Sequence, residues 1–207
     1  MPARLAVTAC LAVLLTLACA VGLSHASSPP PKPLKGNPAD RLAGKPIDDY
    51  RYDHASRCRR NPSPGALALE GWLGQHVRGT SWGIMRCEKL SRRNYSLHSE
   101  GRAIDWHLDV TDRADRRAAR EIVRLLLATD RAGNRHALAR RMGVQEIIWD
   151  CRSWWSGSDG MDDYSVCFTD RGKRRHGVSP TLAHRDHIHF GLSRAGAAKR
   201  TSFWRGR

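Results

Sequence analysis

Ser96-Leu97-His98-Ser99-Glu100-Gly101-Arg102-Ala103-Ile104-Asp105-Trp106-His107-Leu108-Asp109-Val110 is the stretch around which the rest of this chain organises itself. From Ala103 to Val110 apolar and polar residues alternate. Successive side chains of a strand point to opposite sides, so Ile104, Trp106, Leu108 and Val110 share one face while Asp105, His107 and Asp109 share the other. A turn at Gly101 brings His98 back beside the start of this strand. One face therefore belongs to a core, and the other gathers histidine and aspartate.

A second stretch, His184-Arg185-Asp186-His187-Ile188-His189, supplies the complement. His187 and His189 are two apart on an expected strand, His187 to Leu192, and project from the same side. If that strand pairs with the Asp105 strand, His98, Asp105 and His189 can close on one metal ion. Two imidazoles and a carboxylate are donors of the kind that a catalytic zinc takes when it keeps a fourth position for water. Zinc over another divalent ion follows from ligand type alone. A general base is needed beside it, and Asp186, His187 and His184 are the candidates. His107 and Asp109 are either supporting groups behind the ligands or plain surface residues.

Around these stretches the chain reads as alternating elements. Ser63 caps a helix that opens at Pro64, with Leu69, Trp72, Leu73, His76 and Val77 on one face and Gly79 as its end. Ser81 to Cys87 reads as a strand. Thr111 or Asp112 caps a helix striped by Ala118, Ile122, Leu125 and Leu126, which Gly133 breaks. A shorter basic helix runs to about Met142, and Gly143 leads into a strand from Val144 to Asp150. A loop bracketed by Cys151 and Cys167 follows. Helices and strands mix without a βαβ rhythm, which predicts an α+β fold with a small, largely antiparallel sheet flanked by helices. Trp72, Trp82, Trp106 and Trp149 are expected in the core. Trp154 and Trp155 either plug the sheet edge or stack on sugar rings. Asp159, Asp162 and Asp163 lack the ligand alternation of a calcium loop.

The 207 residues carry 35 Lys and Arg against 20 Asp and Glu, a net charge of +15. Such a charge favours anionic partners by steering and counterion release. Residues 1–26 read as a secretory signal, with basic Arg4, an apolar run from Leu5 to Leu23 and a small-x-small ending at Ser24-His25-Ala26; Ala18-Cys19-Ala20 is a second possible cut. A retained membrane anchor is the alternative. Residues 27–46 are rich in Pro and Gly and read as a tether, residues 47–195 as one domain, and residues 196–207 as a solvated basic tail. Cys58, Cys87, Cys151 and Cys167 remain after signal removal, and an even number in an exported chain implies two disulfides. Nearest-neighbour pairing gives Cys58–Cys87 and Cys151–Cys167, although four cysteines allow three pairings.

The pattern Ser-x-His-x-x-Gly-x-Ala-x-Asp followed far downstream by His-x-His resembles the zinc peptidases that cut peptidoglycan peptides. These are the D-Ala-D-Ala carboxypeptidases, the penicillin-insensitive murein endopeptidases and their hedgehog-like relatives. Over roughly residues 50 to 195 the chain is most similar to the extensin-like C-terminal domain often assigned to that superfamily. The resemblance implies a hedgehog-like fold, His98, Asp105 and His189 as zinc ligands, and His187 as an active-site histidine with His184 as its partner. It also implies a substrate contact for Arg86. One residue departs from the carboxypeptidase pattern: Asp186 stands where a Glu is usual. Either Asp186 serves from a shifted backbone, or His187 is the base and Asp186 orients it.

The expected function is thus a secreted zinc-dependent peptidase acting on cell-wall peptides. It would be a monomer of the cell envelope, partnered by peptidoglycan or another anionic wall polymer, with no stable membrane span after signal cleavage and no specific nucleic acid. The alternative is a wall-binding module that keeps the metal and lacks turnover. A metal nuclease is a third and weaker reading.

Overall fold

The computed structural model describes residues 31–32, 34–49, 51–92 and 94–205. The expected signal lies outside the described residues. A 3-10 turn, Pro38–Leu42, precedes helix α1 (Pro64–His76), strand β1 (Thr80–Gly83) and a hairpin of β2 (Lys89–Ser91) with β3 (Asn94–Tyr95). A second 3-10 turn, Leu97–Glu100, leads into β4 (Ala103–His107), α2 (Arg113–Leu127) and α3 (Ala137–Met142). The chain then forms β5 (Val144–Trp149), β6 (Arg152–Trp155), β7 (Asp162–Asp163), β8 (His187–Leu192) and the short α4 (Arg194–Ala197). The fold is α+β, with one antiparallel sheet of order β1-β4-β8-β5-β6-β7 and the small β2–β3 pair beside it.

The alternation read from the sequence sets the layers. Ile104 and Trp106 of β4, Ile147 and Trp149 of β5, and Ile188, Phe190 and Leu192 of β8 form one core with Leu69, Trp72 and Leu73 of α1, Ile122, Leu125 and Leu126 of α2, and Leu138 and Met142 of α3. Helices thus cover one face of the sheet and leave the other for Asp105, His107, His187 and His189. Each helix start is capped as its sequence dictates: Ser63 accepts from the Ala66 amide, and Asp112 from those of Ala114 and Asp115. Gly143, at φ 76°, ends α3, and a Cβ there would strike the backbone of Gly196. Two glycines at this crossing let α4 dock under the start of β5.

Several expectations are corrected. Residues 34–46 are not a free tether: Ala39 is fully buried, and Leu34 and Leu42 pack on the core. The C-terminal run is no solvated tail either. Phe203 and Trp204 are buried, and Trp204 Nε1 donates to the Met142 carbonyl at 2.9 Å. Two large aromatics outweigh the flanking arginines, because the rings bury apolar area while the guanidinia stay in water. The strand expected at Ser81–Cys87 is shorter and earlier, Thr80–Gly83. Trp82 within it is 52% exposed rather than in the core. The Cys151–Cys167 segment contains strands β6 and β7. Strand alternation separates its paired tryptophans, so that Trp154 is fully buried and Trp155 half-buried. Asp163 pairs with Arg152 at 2.7 Å and Asp159 with Arg135 at 2.8 Å, arginine partners in place of a cation. Both disulfides form with nearest-neighbour pairing, Cys58–Cys87 and Cys151–Cys167. Among the described residues no helix is long and apolar enough to cross a membrane.

Candidate metal centre

The β4–β8 register places Asp105 directly opposite His189 and His107 opposite His187. The 3-10 turn Leu97–Glu100 brings in the third group. Gly101 ends it at φ 64° and returns its amide to the His98 carbonyl at 2.9 Å. A Cβ at Gly101 would lie 2.7 Å from both the Asn61 carbonyl and Met85 Sδ, so glycine is required by space as well as by φ.

His98 Nε2, Asp105 Oδ1 and His189 Nδ1 converge. His98 Nε2 lies 3.0 Å from Asp105 Oδ1 and 3.2 Å from His189 Nδ1, and the third side of the triangle is 3.0 Å. All three residues are buried, and together they form a group able to hold a metal ion. The donor set passes a geometric test. Bonds of about 2.0–2.1 Å to zinc place tetrahedral ligand atoms about 3.3 Å apart, close to the triangle observed. His98 Nδ1 donates to the Ile84 carbonyl at 2.9 Å, which leaves the Nε2 lone pair facing the centre. Burial pushes the Asp105 carboxyl up, but the imidazoles of His189 and His98 against it outweigh burial and hold the group well below the usual carboxylate range. Burial keeps His98 neutral at pH 7 by lowering its pKa. Burial pushes His189 down, but hydrogen bonding to Asp105 and the Glu146 charge outweigh it and raise its pKa, so a divalent metal binding here would displace a proton from His189.

The remaining expected residues surround this triangle. His187 Nε2 lies 3.6 Å from Asp105 Oδ1, while its Nδ1 donates to Asp186 Oδ1 at 2.7 Å. The second oxygen of Asp186 accepts from Thr181 Oγ1 at 2.6 Å. Both Asp186 oxygens are therefore engaged away from the centre, and of the two it is His187 that points a free nitrogen toward it. The His184 ring sits tilted against His187, centroids 4.6 Å apart, and edge-on to Tyr164 at 5.3 Å. Burial first, then the nearby His189 and His187, push its pKa down to about 2, so it forms a neutral wall of the site. Arg86 lines the cavity above the triangle and is in part already engaged. Its Nη1 donates to Asp105 Oδ2 at 3.1 Å and its Nε to Glu88 at 3.2 Å. His107 Nδ1 donates to the Asp186 backbone carbonyl at 2.8 Å, and its ring stacks on Trp82, centroids 4.5 Å apart. Asp109 instead binds Thr111 in the turn before α2.

Sequence reasoning missed Glu146. It lies buried on β5, with Oε1 3.8 Å from His189 Nε2 and Oε2 accepting from the Tyr52 hydroxyl at 2.7 Å. An acid beside Gln145 in a strand otherwise made of Val, Ile and Trp was the available signal. Burial and the Glu146 charge raise the Tyr52 pKa, so the phenol stays protonated and keeps donating. Tyr52, Trp155, Tyr164 and the exposed Leu90 and Leu182 line a cavity of about 900 Å³ above the triangle.

A family model described as VldE, C-terminal domain, matches residues 60–176. The chain belongs to the VldE C-terminal domain family. The matched region holds His98, Asp105 and Glu146 and ends before His184–His189, so the family segment contributes two corners of the triangle and β8 the third. No curated protein matches the chain. No solved structure matches it either.

Proposed function

We propose that this chain is an exported zinc hydrolase that cleaves amide bonds in cell-wall peptides. The observation that carries the reading is the convergence of His98 Nε2, Asp105 Oδ1 and His189 Nδ1 at 3.0–3.2 Å beneath an open cavity, with His187 aimed at the same centre. Resemblance to the murein endopeptidases and extensin-like domains supports the substrate class, and two disulfides support an extracytoplasmic setting. Zinc held by His98, Asp105 and His189 would supply a Lewis acid and make water nucleophilic near neutral pH.

This chain's own residues do the rest. His187 takes the proton of the attacking water on Nε2 and later returns it to the leaving amine, as its Nδ1–H is tied to Asp186. Thr181 holds Asp186 in turn, so the imidazole keeps one tautomer throughout. Arg86 fixes Asp105 by its second oxygen and leaves Oδ1 for the centre. The aromatic wall of Tyr52, Trp155 and Tyr164 excludes water along the bound peptide.

The test is to purify the protein, measure bound metal, and digest peptidoglycan with it and with His98→Ala. The reading expects about one zinc per chain and release of peptide fragments that the variant loses. Zinc-loaded protein that binds wall material and releases nothing would replace it with the wall-binding reading. Absence of zinc, or unchanged release by the variant, would overturn it.

A further inference from the structure

A second cavity, of about 510 Å³, opens away from the triangle and is walled by Arg59, Arg60, Arg102, Arg194 and Arg200 around one carboxylate, Glu100. Its floor is built around that carboxylate. Glu100 is fully buried and pairs with Arg102 at 2.8 Å and Arg194 at 3.1 Å, while its other oxygen accepts from the Ser56 amide at 3.0 Å. Arg102 is nearly buried too, and spends its remaining donors on the Leu192 and Asp53 carbonyls. The carboxylate charge is therefore used up within the floor.

Arg59, Arg60 and Arg200 remain. None of them has a carboxylate or side-chain hydrogen-bond partner among the described residues. They do not drift apart freely, because their backbone is pinned. The Cys58–Cys87 disulfide holds the segment at one end, the Arg59 amide donates to Ser99 at 2.7 Å, and the Ser63 amide donates to Gly101 at 2.9 Å. Arg200 follows Lys199, which is held at φ 55°, and precedes buried Thr201; its amide donates to Ala195 at 2.9 Å. Holding three exposed like charges on pinned backbone around one concavity builds a positive potential there, which an anion placed between them lowers.

We infer that this cavity is a recognition site for a phosphate group. A phosphate offers three acceptor oxygens and more than one negative charge, so it matches three guanidinia in number and charge better than a single carboxylate, which in the floor engages two. Arg120, Arg171 and Arg174 make a natural contrast. They are exposed, as Arg59, Arg60 and Arg200 are, but line none of the three cavities, and they supply the control for charge alone. The cavity adjoins the groove above the triangle: Arg194, in its wall, donates to the backbone of His54, which lines that groove.

The experiment is calorimetric titration of the purified protein, in chelator, with tripolyphosphate, poly(glycerol phosphate) and polyglutamate. Working without metal makes the result independent of the peptidase reading. The inference expects both phosphate probes to bind, with affinity at least tenfold weaker in Arg59→Ser/Arg60→Ser/Arg200→Ser and changed less than twofold in Arg120→Ser/Arg171→Ser/Arg174→Ser. Tighter binding of poly(glycerol phosphate) than of tripolyphosphate identifies a polymer-borne phosphate, and the reverse a free one. The cavity variant should also melt at the same temperature as the parent or higher in low salt without phosphate. Equal losses in both triple variants, polyglutamate binding as tightly as phosphate, no binding of phosphate, or a lower melting temperature of the cavity variant would each overturn the inference.

Discussion

His189 shows how a single side chain can be set from both ends. Its Nδ1 faces the triangle, and its Nε2 faces Glu146, whose own position is fixed by Tyr52. A carboxylate behind a ligating imidazole raises its basicity and holds the ring, and loss of such a partner costs about 10–100-fold in metal affinity. Glu146→Gln should therefore weaken zinc binding by about tenfold, measured by competition with a chromogenic chelator, while the far-ultraviolet circular dichroism stays unchanged. His187→Asn makes the opposite separation. It removes the proton acceptor and leaves all three donors, so zinc stoichiometry should persist while turnover on peptidoglycan fragments drops by about 10²–10⁴-fold. Asp186→Asn should fall between, because the amide still touches Thr181 but no longer carries the charge that steadies His187.

At the level of elements, the site depends on where one short turn ends. The 3-10 turn Leu97–Glu100 carries His98 on one side and Glu100 on the other, so the same four residues serve the metal triangle and the arginine cavity. Gly101 closes it. Gly101→Ala meets the Asn61 carbonyl, Met85 and Pro62 and also demands a left-handed conformation, so it should destabilise the fold by about 1–3 kcal/mol. The same variant should weaken zinc binding, since His98 must move with the turn; urea unfolding and chelator competition measure the two effects. Strand register is the other element-level determinant. A slip of one residue between β4 and β8 would exchange the Ile104–Trp106 face for the Asp105–His107 face, and the apolar face buried under three helices forbids it.

Across the whole molecule, stability and acid sensitivity draw on two buried carboxylates outside the triangle. Burial pushes Asp130 up, yet hydrogen bonds from Asn134, Ala132 and Arg141 hold it below the usual carboxylate range. Glu100 follows the same pattern, with the Ser56 amide, Arg102 and Arg194 overcoming burial. Groups whose folded pKa is depressed stabilise fully above the unfolded value of about 4 and lose that contribution as pH falls through the folded value. Unfolding free energy should thus be flat near neutrality and fall below about pH 4. Asp130→Asn should flatten that acid limb. It should also cost about 3 kcal/mol at pH 7, because fully buried Arg141 is left without its counter-charge. Denaturant melts of both proteins at several pH values check the two statements together.

The sequence by itself determined the layers and the donors. The alternation in Ala103–Val110 and His187–Leu192 commits one face of each strand to a core, and the two compact histidine–aspartate stretches announce a polar centre, because both signals are local and periodic. The helix starts at Ser63 and Asp112 were equally legible, since a cap is chosen by the few residues beside it. Only the tertiary structure decided which carboxylate stands behind His189, that Arg86 serves Asp105, that Asp186 turns away from the centre to hold His187, and that the arginine-rich C-terminal run tucks Phe203 and Trp204 into the core. Those outcomes depend on side chains brought together from distant parts of the chain, where burial and hydrogen bonding choose among partners that no local pattern distinguishes.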